Sequence, residues 1–368
     1  MTLGILKSTH DPRVALVPAT VKKFRDLQLE LLLETGAGKA SHFTDADYAD
    51  VKVEHRATIL RQADIVLSIS PLTTEEVAQT KTGALLIGIY EPLNYPEVVQ
   101  QLTKSGLQVF SLDMVPRTTL AQSMDVLSSM ASLAGYRAAL LAATQLPRYF
   151  PMFITAAGSI KPARVLVLGA GVAGLQAIAT AKRLGAIVEA FDVRKAAKEE
   201  VESLGAKFVE VEGAKDDSAA GGYAVVQDED FLKRQRAEVQ TRAAKADVII
   251  TTAQVRGRQA PTLVPRETVE QMKKGAVIVD LAASTGGNCA LTQDNATIQH
   301  QGVTIIGNSQ LYNGMPQDAS TLLSNNYFNF LKFILKDGAL AIDYAHEIIQ
   351  GALIAGEVPS THSTTTTS

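Results

Sequence analysis

The sequence predicts an α/β protein made of two doubly wound domains, which are joined by long helices and leave a cleft between them. Short apolar runs typical of buried strands alternate with helical patterns along residues 18–113, and again along residues 164–307. The chain has 368 residues, enough for each domain to bury its own core. Such alternation is typical of parallel sheets covered by helices.

The first domain is predicted to be a sheet with four strands and four helices. The strands are expected at residues 29–34, 65–70, 84–90 and 108–113. The helices are expected near residues 18–26, 58–62, 74–80 and 96–104.

Two long helices are predicted to join the domains. Residues 123–146 are rich in Ala, Leu, Met and Ser without a proline, and a second helix is expected at 319–336. If the second helix returns to the first domain, the domains comprise 1–125 with about 315–358, and 126–314. The low-complexity tail, residues 359–368, is predicted to be disordered or a linker.

The second domain is predicted to contain a complete dinucleotide-binding sheet. Its six strands are expected at residues 164–168, 187–191, 207–211, 248–252, 276–281 and 303–307.

The segment 164–192 has every element of a dinucleotide-binding βαβ unit. Gly169 permits a tight turn, Gly171 lets a pyrophosphate approach the backbone, and Gly174 lets the helix pack on the strand. Asp192 can accept hydrogen bonds from the ribose hydroxyls, and its charge repels a 2′-phosphate. The pattern predicts a Rossmann-like domain that binds NAD(H); a glycine-rich turn used only for packing is the alternative.

Composition excludes several other classes of function. The 35 basic and 38 acidic residues nearly balance, which gives no support for nucleic-acid or polybasic membrane binding. The single cysteine, Cys289, excludes a disulfide framework and is expected to be a small buried residue. The six histidines have no metal-ligand spacing, and no long apolar run or signal peptide is present, so we expect no metal and no transmembrane segment.

Polar residues cluster in the segment 117–128, between the last predicted strand of the first domain and the connecting helix. Arg117 is suited to a pyrophosphate or a carboxamide oxygen, while Gln122, Asp125 and Ser128 offer groups that could orient a nicotinamide. The alternative is that Ser123 or Asp125 only caps the helix that follows.

Residues 212–230 form a connection longer than an ordinary loop. The glycines Gly221 and Gly222, followed by Tyr223, indicate a lid that closes over bound nucleotide and excludes water. An acidic insertion without function is the alternative.

Several segments resemble one family of proteins over nearly the whole chain, least well after Gly307. The segments are PRVALVP, ETGAGKASHFTDADY, PRTTLAQSMDVLSS, GAGVAGLQAIATAKRLGA, AGGYA and DLAASTGGN. The chain resembles the NAD(H)-binding component of proton-translocating NAD(P) transhydrogenases, the alpha subunit's first domain, in the superfamily that includes alanine dehydrogenase.

This resemblance implies a role for each matching residue. The nicotinamide-holding loop of that family corresponds to Arg117, Gln122, Asp125 and Ser128. The adenosine side corresponds to Asp192, Val193 and Arg194, and the mobile loop to Gly222 and Tyr223. The pocket lining corresponds to Val172, Gln235 and Gln254, although an aliphatic residue is expected where Gln254 stands.

The resemblance also implies a mechanism and partners. Hydride would pass directly between NADH bound here and NADP⁺ bound on a partner subunit, with proton translocation in membrane subunits. The chain would form a homodimer, dock on the cytoplasmic face of the membrane, and be inactive without its partners.

Two other functions are weighed against this one. An alanine dehydrogenase needs a substrate lysine, a catalytic histidine and an aspartate, but the matching segments contain Ser68 and Ser70, then Glu91-Pro92, then Ser284; only Arg13 remains as a carboxylate binder. An NAD-sensing module without chemistry is the third hypothesis, and the intact nicotinamide loop argues against it.

Overall fold

A computed structural model describes residues 1–210, 229–356 and 358. The predicted lid, apart from its last two residues, and the predicted tail lie outside the described residues. The chain divides into two compact units. Unit 1 comprises Met1–Ser129 and the described residues from Met315 onward, and unit 2 comprises the described residues of Met130–Gly314.

The strands of the described residues are short and mostly buried. In chain order they are β1 (Thr2–Ile5), β2 (Glu30–Glu34), β3 (Lys52–Glu54), β4 (Ile65–Leu67), β5 (Leu85–Gly88), β6 (Gln108–Ser111), β7 (Phe153–Thr155), β8 (Gly158–Ile160), β9 (Arg164–Leu168), β10 (Ile187–Phe191), β11 (Lys207–Phe208), β12 (Val248–Thr251), β13 (Val277–Asp280), β14 (Ala296–His300), β15 (Val303–Gly307), β16 (Leu335–Lys336), β17 (Ala339–Leu340) and β18 (Leu353–Ala355).

The helices follow in the same order. They are α1 (Val21–Arg25), α2 (Arg56–Gln62), α3 (Thr74–Gln79), α4 (Pro96–Thr103), α5 (Val126–Gln145), α6 (Val172–Arg183), α7 (Ala197–Ser203), α8 (Glu229–Ala243), α9 (Arg266–Gln271), α10 (Pro316–Ile334) and α11 (Glu347–Ala352).

Unit 1 is built on a sheet with the strand order β18-β6-β5-β4-β1-β2-β3, parallel except for β18. The four predicted strands are present, although each ends no later than expected and three end earlier, because the residues beyond them enter loops at the carboxyl ends of the strands. The prediction missed β1, β3 and β18. β1 lies inside the sheet between β4 and β2, but four residues are too few to show a period.

Unit 2 is built on a sheet with the order β11-β10-β9-β12-β13-β15-β14, parallel except for β14. All six predicted strands are present, and the predicted fold class of parallel-sheet, Rossmann-like domains is confirmed. β14 was missed because its residues alternate between exposed and half-buried and form no apolar run. The strand order reverses between β9 and β12, where doubly wound sheets bind their ligands.

The two long predicted helices are α5 and α10. α5 begins at Val126 rather than at residue 123, because residues 122–124 form a separate 3-10 turn. α10 begins earlier than predicted, at Pro316, a residue favoured in the first helical turn. Buried residues of α10, among them Leu323, Tyr327 and Phe330, belong to the core of unit 1.

Of the described helices, α5 is the one long and apolar enough to cross a membrane by length and composition. A core helix passes the same test, so this is weak evidence of a span. Ala134, Ala138, Ala139 and Ala142 of α5 are buried in the core of unit 2, which explains its apolar composition.

Candidate functional site

The glycine loop between β9 and α6 gives each of its three glycines a different task. Gly169 has φ +100°, and a Cβ there would lie 2.5 Å from Thr252 Oγ1. A Cβ on Gly174 would lie 1.9 Å from the carbonyl oxygen of Gly169, so the helix packs directly on the turn. A Cβ on Gly171 would meet nothing within 4 Å. Open space at Gly171 suits a loop that a ligand approaches, and a turn used only for packing has no need of it.

α6 begins directly after Gly171, so the first N–H groups of this helix point toward that open space. The N-terminus of a helix carries a partial positive charge and free N–H donors. The loop can therefore hold a phosphate without a basic side chain.

Asp192 follows β10 and braces the glycine loop. Its Oδ2 accepts a hydrogen bond from the main-chain N–H of Ala170 at 2.7 Å. Its Oδ1 accepts from the main-chain N–H of Arg194 at 2.8 Å and from Arg194 Nε at 3.0 Å. The Asp192 side chain is only 8% exposed, so a ribose hydroxyl would have to share this carboxylate with Arg194.

Three exposed valines follow three neighbouring strands at the same edge of the unit 2 sheet. Val172 is 44% exposed after β9, Val193 is 57% exposed after β10, and Val255 is 49% exposed after β12. The sequence predicted Val172 and Val193 but missed Val255, which lies in a polar segment. Exposed apolar side chains beside a glycine loop suit the faces of a nucleoside.

The DLAASTGGN motif braces this edge from within. Asp280 is fully buried and accepts hydrogen bonds from the main-chain N–H groups of Asn288 at 2.7 Å and Cys289 at 3.0 Å. Asn288 in turn donates to the carbonyl oxygens of Ala253 and Pro261, both at 2.9 Å. The loops after β12 and β13 are thus tied together. Sequence reasoning gave these residues no role, because their pairing depends on contacts between distant segments.

Cys289 is buried as expected, and burial raises the pKa of its thiol. The thiol is therefore neutral, and the structure places it in the core.

The remaining predicted lining residues differ in their surroundings. Gln254 is exposed, and its Nε2 donates to the carbonyl oxygen of Leu281 at 3.0 Å, so its amide also braces the loop. Gln235 lies half-buried on α8. Gly222 and Tyr223 lie outside the described residues.

In unit 1, the segment 117–128 separates into two pairs. Arg117 and Gln122 have exposed side chains without a hydrogen-bond partner among the residues that the structure describes. Asp125, in contrast, accepts from the Ser128 N–H at 2.9 Å and from Ser128 Oγ at 2.6 Å. Asp125 therefore caps α5, the alternative that the sequence left open, while Arg117 and Gln122 keep free donors.

The positions where an amino-acid dehydrogenase needs a lysine and a histidine contain neutral groups. Ser68 is buried, and its Oγ lies 2.8 Å from Tyr90 Oη. Burial raises the pKa of Tyr90 far above that of an ordinary phenol, and the hydrogen bond to Ser68 opposes this only in part. Arg13 is also buried and pairs with Asp11, Nε to Oδ1 at 2.9 Å. No described group here is suited to act as a base near neutral pH.

The glycine loop, the acid at the end of β10 and the reversal of strand order define unit 2 as a nucleotide-binding domain of the Rossmann class. Family models for the two halves of one protein family match the chain. The N-terminal domain of alanine dehydrogenase/PNT matches residues 7–134, and its C-terminal domain matches residues 138–362. The chain therefore belongs to the alanine dehydrogenase/PNT family, on its transhydrogenase alpha-subunit side, as the sequence motifs predicted.

Individual relatives place it on that side. The chain is 46% identical over 335 residues to an NAD(P) transhydrogenase subunit alpha protein of Rhodospirillum rubrum, covering 87% of this chain and 86% of that protein. A crystal structure of transhydrogenase from Sinorhizobium meliloti matches with a TM-score of 0.88 and 39% identity, covering 97% and 99% of the two chains. Identity to alanine dehydrogenase of Bacillus subtilis is 25% over 352 residues, 92% of this chain and 87% of that enzyme.

Proposed function

We propose that this chain is the NAD(H)-binding subunit of a proton-translocating NAD(P)⁺ transhydrogenase. The observation that carries the proposal is the glycine loop, in which Gly171 is open to a ligand while Gly169 and Gly174 are packed. The R. rubrum relative, whose name includes NAD(P) transhydrogenase, covers most of the chain and supports the same conclusion.

The residues at the edge of unit 2 would bind the nucleotide. The first turn of α6 would donate N–H groups to the pyrophosphate, and Asp192 would accept from the ribose. Val172 and Val193 would pack against the adenosine, with Arg194 beside it. We assign Gln235 and Gln254 to the pocket lining and Gly222 and Tyr223 to a covering loop.

The segment of unit 1 would orient the nicotinamide. Arg117 and Gln122 have donors available for a carboxamide, while the cap formed by Asp125 and Ser128 fixes the course of the main chain beside them. In this proposal, residues 1–125 with about 315–358 and residues 126–314 act as the two functional domains.

NAD(H), when bound, supplies or accepts the hydride, so no side chain has to act as an acid or a base. The chain contributes position, orientation and exclusion of water. The acceptor would be NADP⁺ on a partner subunit. Proton translocation would belong to membrane subunits that hold this chain on the cytoplasmic face.

An exposed hairpin supports assembly as a homodimer. β7 and β8 form a separate two-stranded sheet, with Met152 62%, Ile154 71% and Ile160 38% exposed. Residues 149–160 contain no charged side chain. A two-stranded hairpin is marginal by itself in water, and an uncharged apolar edge is complementary to a copy of itself. We propose that this hairpin pairs with a second copy of the chain.

The function is tested by nucleotide titration followed by reconstitution. The purified chain should bind NADH more tightly than NADPH, as followed by nucleotide fluorescence. With NAD⁺ and alanine it should produce no absorbance at ~340 nm, where reduced nicotinamide is followed. Adding the NADP-binding partner should start hydride transfer from NADH to an NADP⁺ analogue.

Other outcomes favour the other two functions. Alanine-dependent reduction of NAD⁺ by the chain alone would assign it to the dehydrogenases. Tight NADH binding without hydride transfer to the partner would indicate a sensing module.

A further inference from the structure

Two asparagine side chains of α10 converge on one main-chain carbonyl group, that of Ser123. Asn326 Nδ2 donates to this oxygen at 2.9 Å and Asn329 Nδ2 at 3.1 Å. Ser123 directly follows Gln122 in the 3-10 turn Gln122–Met124. We propose that Asn326 and Asn329 are positioning residues, which fix the orientation of Gln122 through the Ser123 peptide group. The inference rests on the proposed function, in which Gln122 orients the nicotinamide.

α10 is a rigid support because buried hydroxyl groups fasten it to unit 1 along its length. Ser320 Oγ accepts from the main-chain N–H of Val14 at 3.0 Å, and Ser324 Oγ lies 2.7 Å from Thr20 Oγ1. One turn further, Tyr327 Oη donates to the carbonyl oxygen of Ser68 at 2.7 Å. Both serines and the tyrosine are fully buried. The two asparagines thus project from a helix whose own position is fixed.

The turn that they hold has few other restraints. Met124 is buried and its N–H donates to the carbonyl oxygen of Ala121 at 2.8 Å, but this bond is local to the turn. Gln122 and Ser123 are both exposed. Without the asparagines, the Ser123 peptide group would be free to rotate, and the Gln122 side chain would move with it.

Asn326 has a cost that a purely structural residue would avoid. It is only 4% exposed, and its Oδ1 is buried without a hydrogen-bond partner among the described residues. An unpaired buried amide oxygen is unfavourable, and an apolar side chain of similar size would remove that penalty. The donor of Asn326 therefore has a value other than stability, and its acceptor is the Ser123 carbonyl group.

The Asn326→Leu variant separates a positioning role from a structural one. In the complex with the NADP-binding partner, hydride transfer should fall by ~10- to 100-fold, since small misplacements of reacting atoms have effects of that order. The dissociation constant for NADH should stay unchanged, and the melting temperature should stay equal or rise. Asn325→Leu is the matched control. Asn325 lies on the same helix, but its side chain bonds to Lys23 and to the carbonyl oxygen of Thr321, so transfer should be unaffected.

A double variant tests whether Asn326 acts through Gln122. If it does, Asn326→Leu combined with Gln122→Asn should be no slower than the slower single variant, whereas independent effects would multiply. A normal transfer rate in Asn326→Leu, or a lowered melting temperature with normal transfer by the folded protein, would overturn the inference. If the unaltered chain itself transfers no hydride to the partner, it is the proposed function that fails.

Discussion

At the residue scale, Asp192 combines two tasks that the sequence suggested were separate. The sequence predicted a free carboxylate that binds a ribose and repels a 2′-phosphate. In the structure the carboxylate also holds Ala170 of the glycine loop and pairs with Arg194. The Arg194 charge reduces the repulsion, so discrimination against NADPH depends on the geometry of the pair as well as on the charge of Asp192.

The Asp192→Ala variant should therefore weaken NADH binding and narrow the preference over NADPH. Losing hydrogen bonds to a charged acceptor should reduce NADH affinity by about 10- to 100-fold. The freed Arg194 should partly compensate for NADPH, because an arginine near the ribose can accommodate its phosphate. Fluorescence titration with both nucleotides measures the two constants. Glu202→Ala, which removes an exposed carboxylate from the same unit, is the control, and equal losses for both nucleotides would contradict the assignment.

Glycine roles were predictable from sequence, while the bracing contacts were not. Gly169, Gly171 and Gly174 have roles set by backbone conformation and by close neighbours in the chain, which a motif records directly. The pairing of Asp280 with Asn288, and of Asn326 with Ser123, depends on where separate elements meet in space. No local pattern of residues records such a meeting.

At the element scale, strands and helices with long apolar patterns were predictable, and short or half-exposed ones were not. β9 and β10 form adjoining strands as predicted, with Val165 opposite Val188. β1 is too short to show a pattern, and β14 is an edge strand whose residues remain partly exposed. In both cases tertiary pairing, rather than local preference, makes the strand.

The turn from β9 to α6 offers a matched pair of variants. Gly171→Ala should leave the melting temperature unchanged, because its Cβ meets nothing within 4 Å, but should weaken NADH binding by crowding the pyrophosphate. Gly174→Ala should instead destabilise unit 2, because its Cβ would lie 1.9 Å from the Gly169 carbonyl oxygen. Thermal unfolding and NADH titration of both variants check this. A loss of stability in Gly171→Ala would show that the glycine is needed for packing.

Asp247, just before β12, should make the stability of unit 2 depend on acidity. Burial would raise the pKa of this carboxyl group, but Lys273, the main-chain N–H of Arg164 and Arg148 together hold it below its ordinary value. Stability from the ionised form is thus complete above the unfolded-state pKa, about 3.9, and is lost as the pH falls through the lower native value.

Asp247→Asn should lower the free energy of unfolding by about 2 kcal/mol at pH 7, since hydrogen bonds to a charged group are lost. The difference from the unaltered protein should shrink as the pH falls below about 4, because protonation removes the same charge. Urea unfolding at several pH values measures both. A difference that stays constant down to acid pH would exclude the ion pairs as its source.

At the scale of the whole molecule, the hairpin formed by β7 and β8 should govern assembly. Ile154→Asp would place a charge at the most exposed apolar position of the hairpin, opposite its equivalent in a second copy. Analytical ultracentrifugation should then show a shift from dimer to monomer, with NADH affinity unchanged. Leu340→Asp, at an exposed apolar position in unit 1, should leave the dimer intact. A dimer that survives Ile154→Asp would require another interface.

The discontinuity of unit 1 has a consequence for how the protein is made. Its central helix, α10, and its edge strand, β18, come from residues after 315, while the rest of its sheet comes from the first 111 residues. Unit 2 is contiguous between them and leaves the ribosome complete while unit 1 still lacks the buried side chains of Leu323, Tyr327 and Phe330. During synthesis, therefore, the nucleotide-binding unit should reach its native state first, and the earliest residues of the chain should be among the last to acquire their final packing.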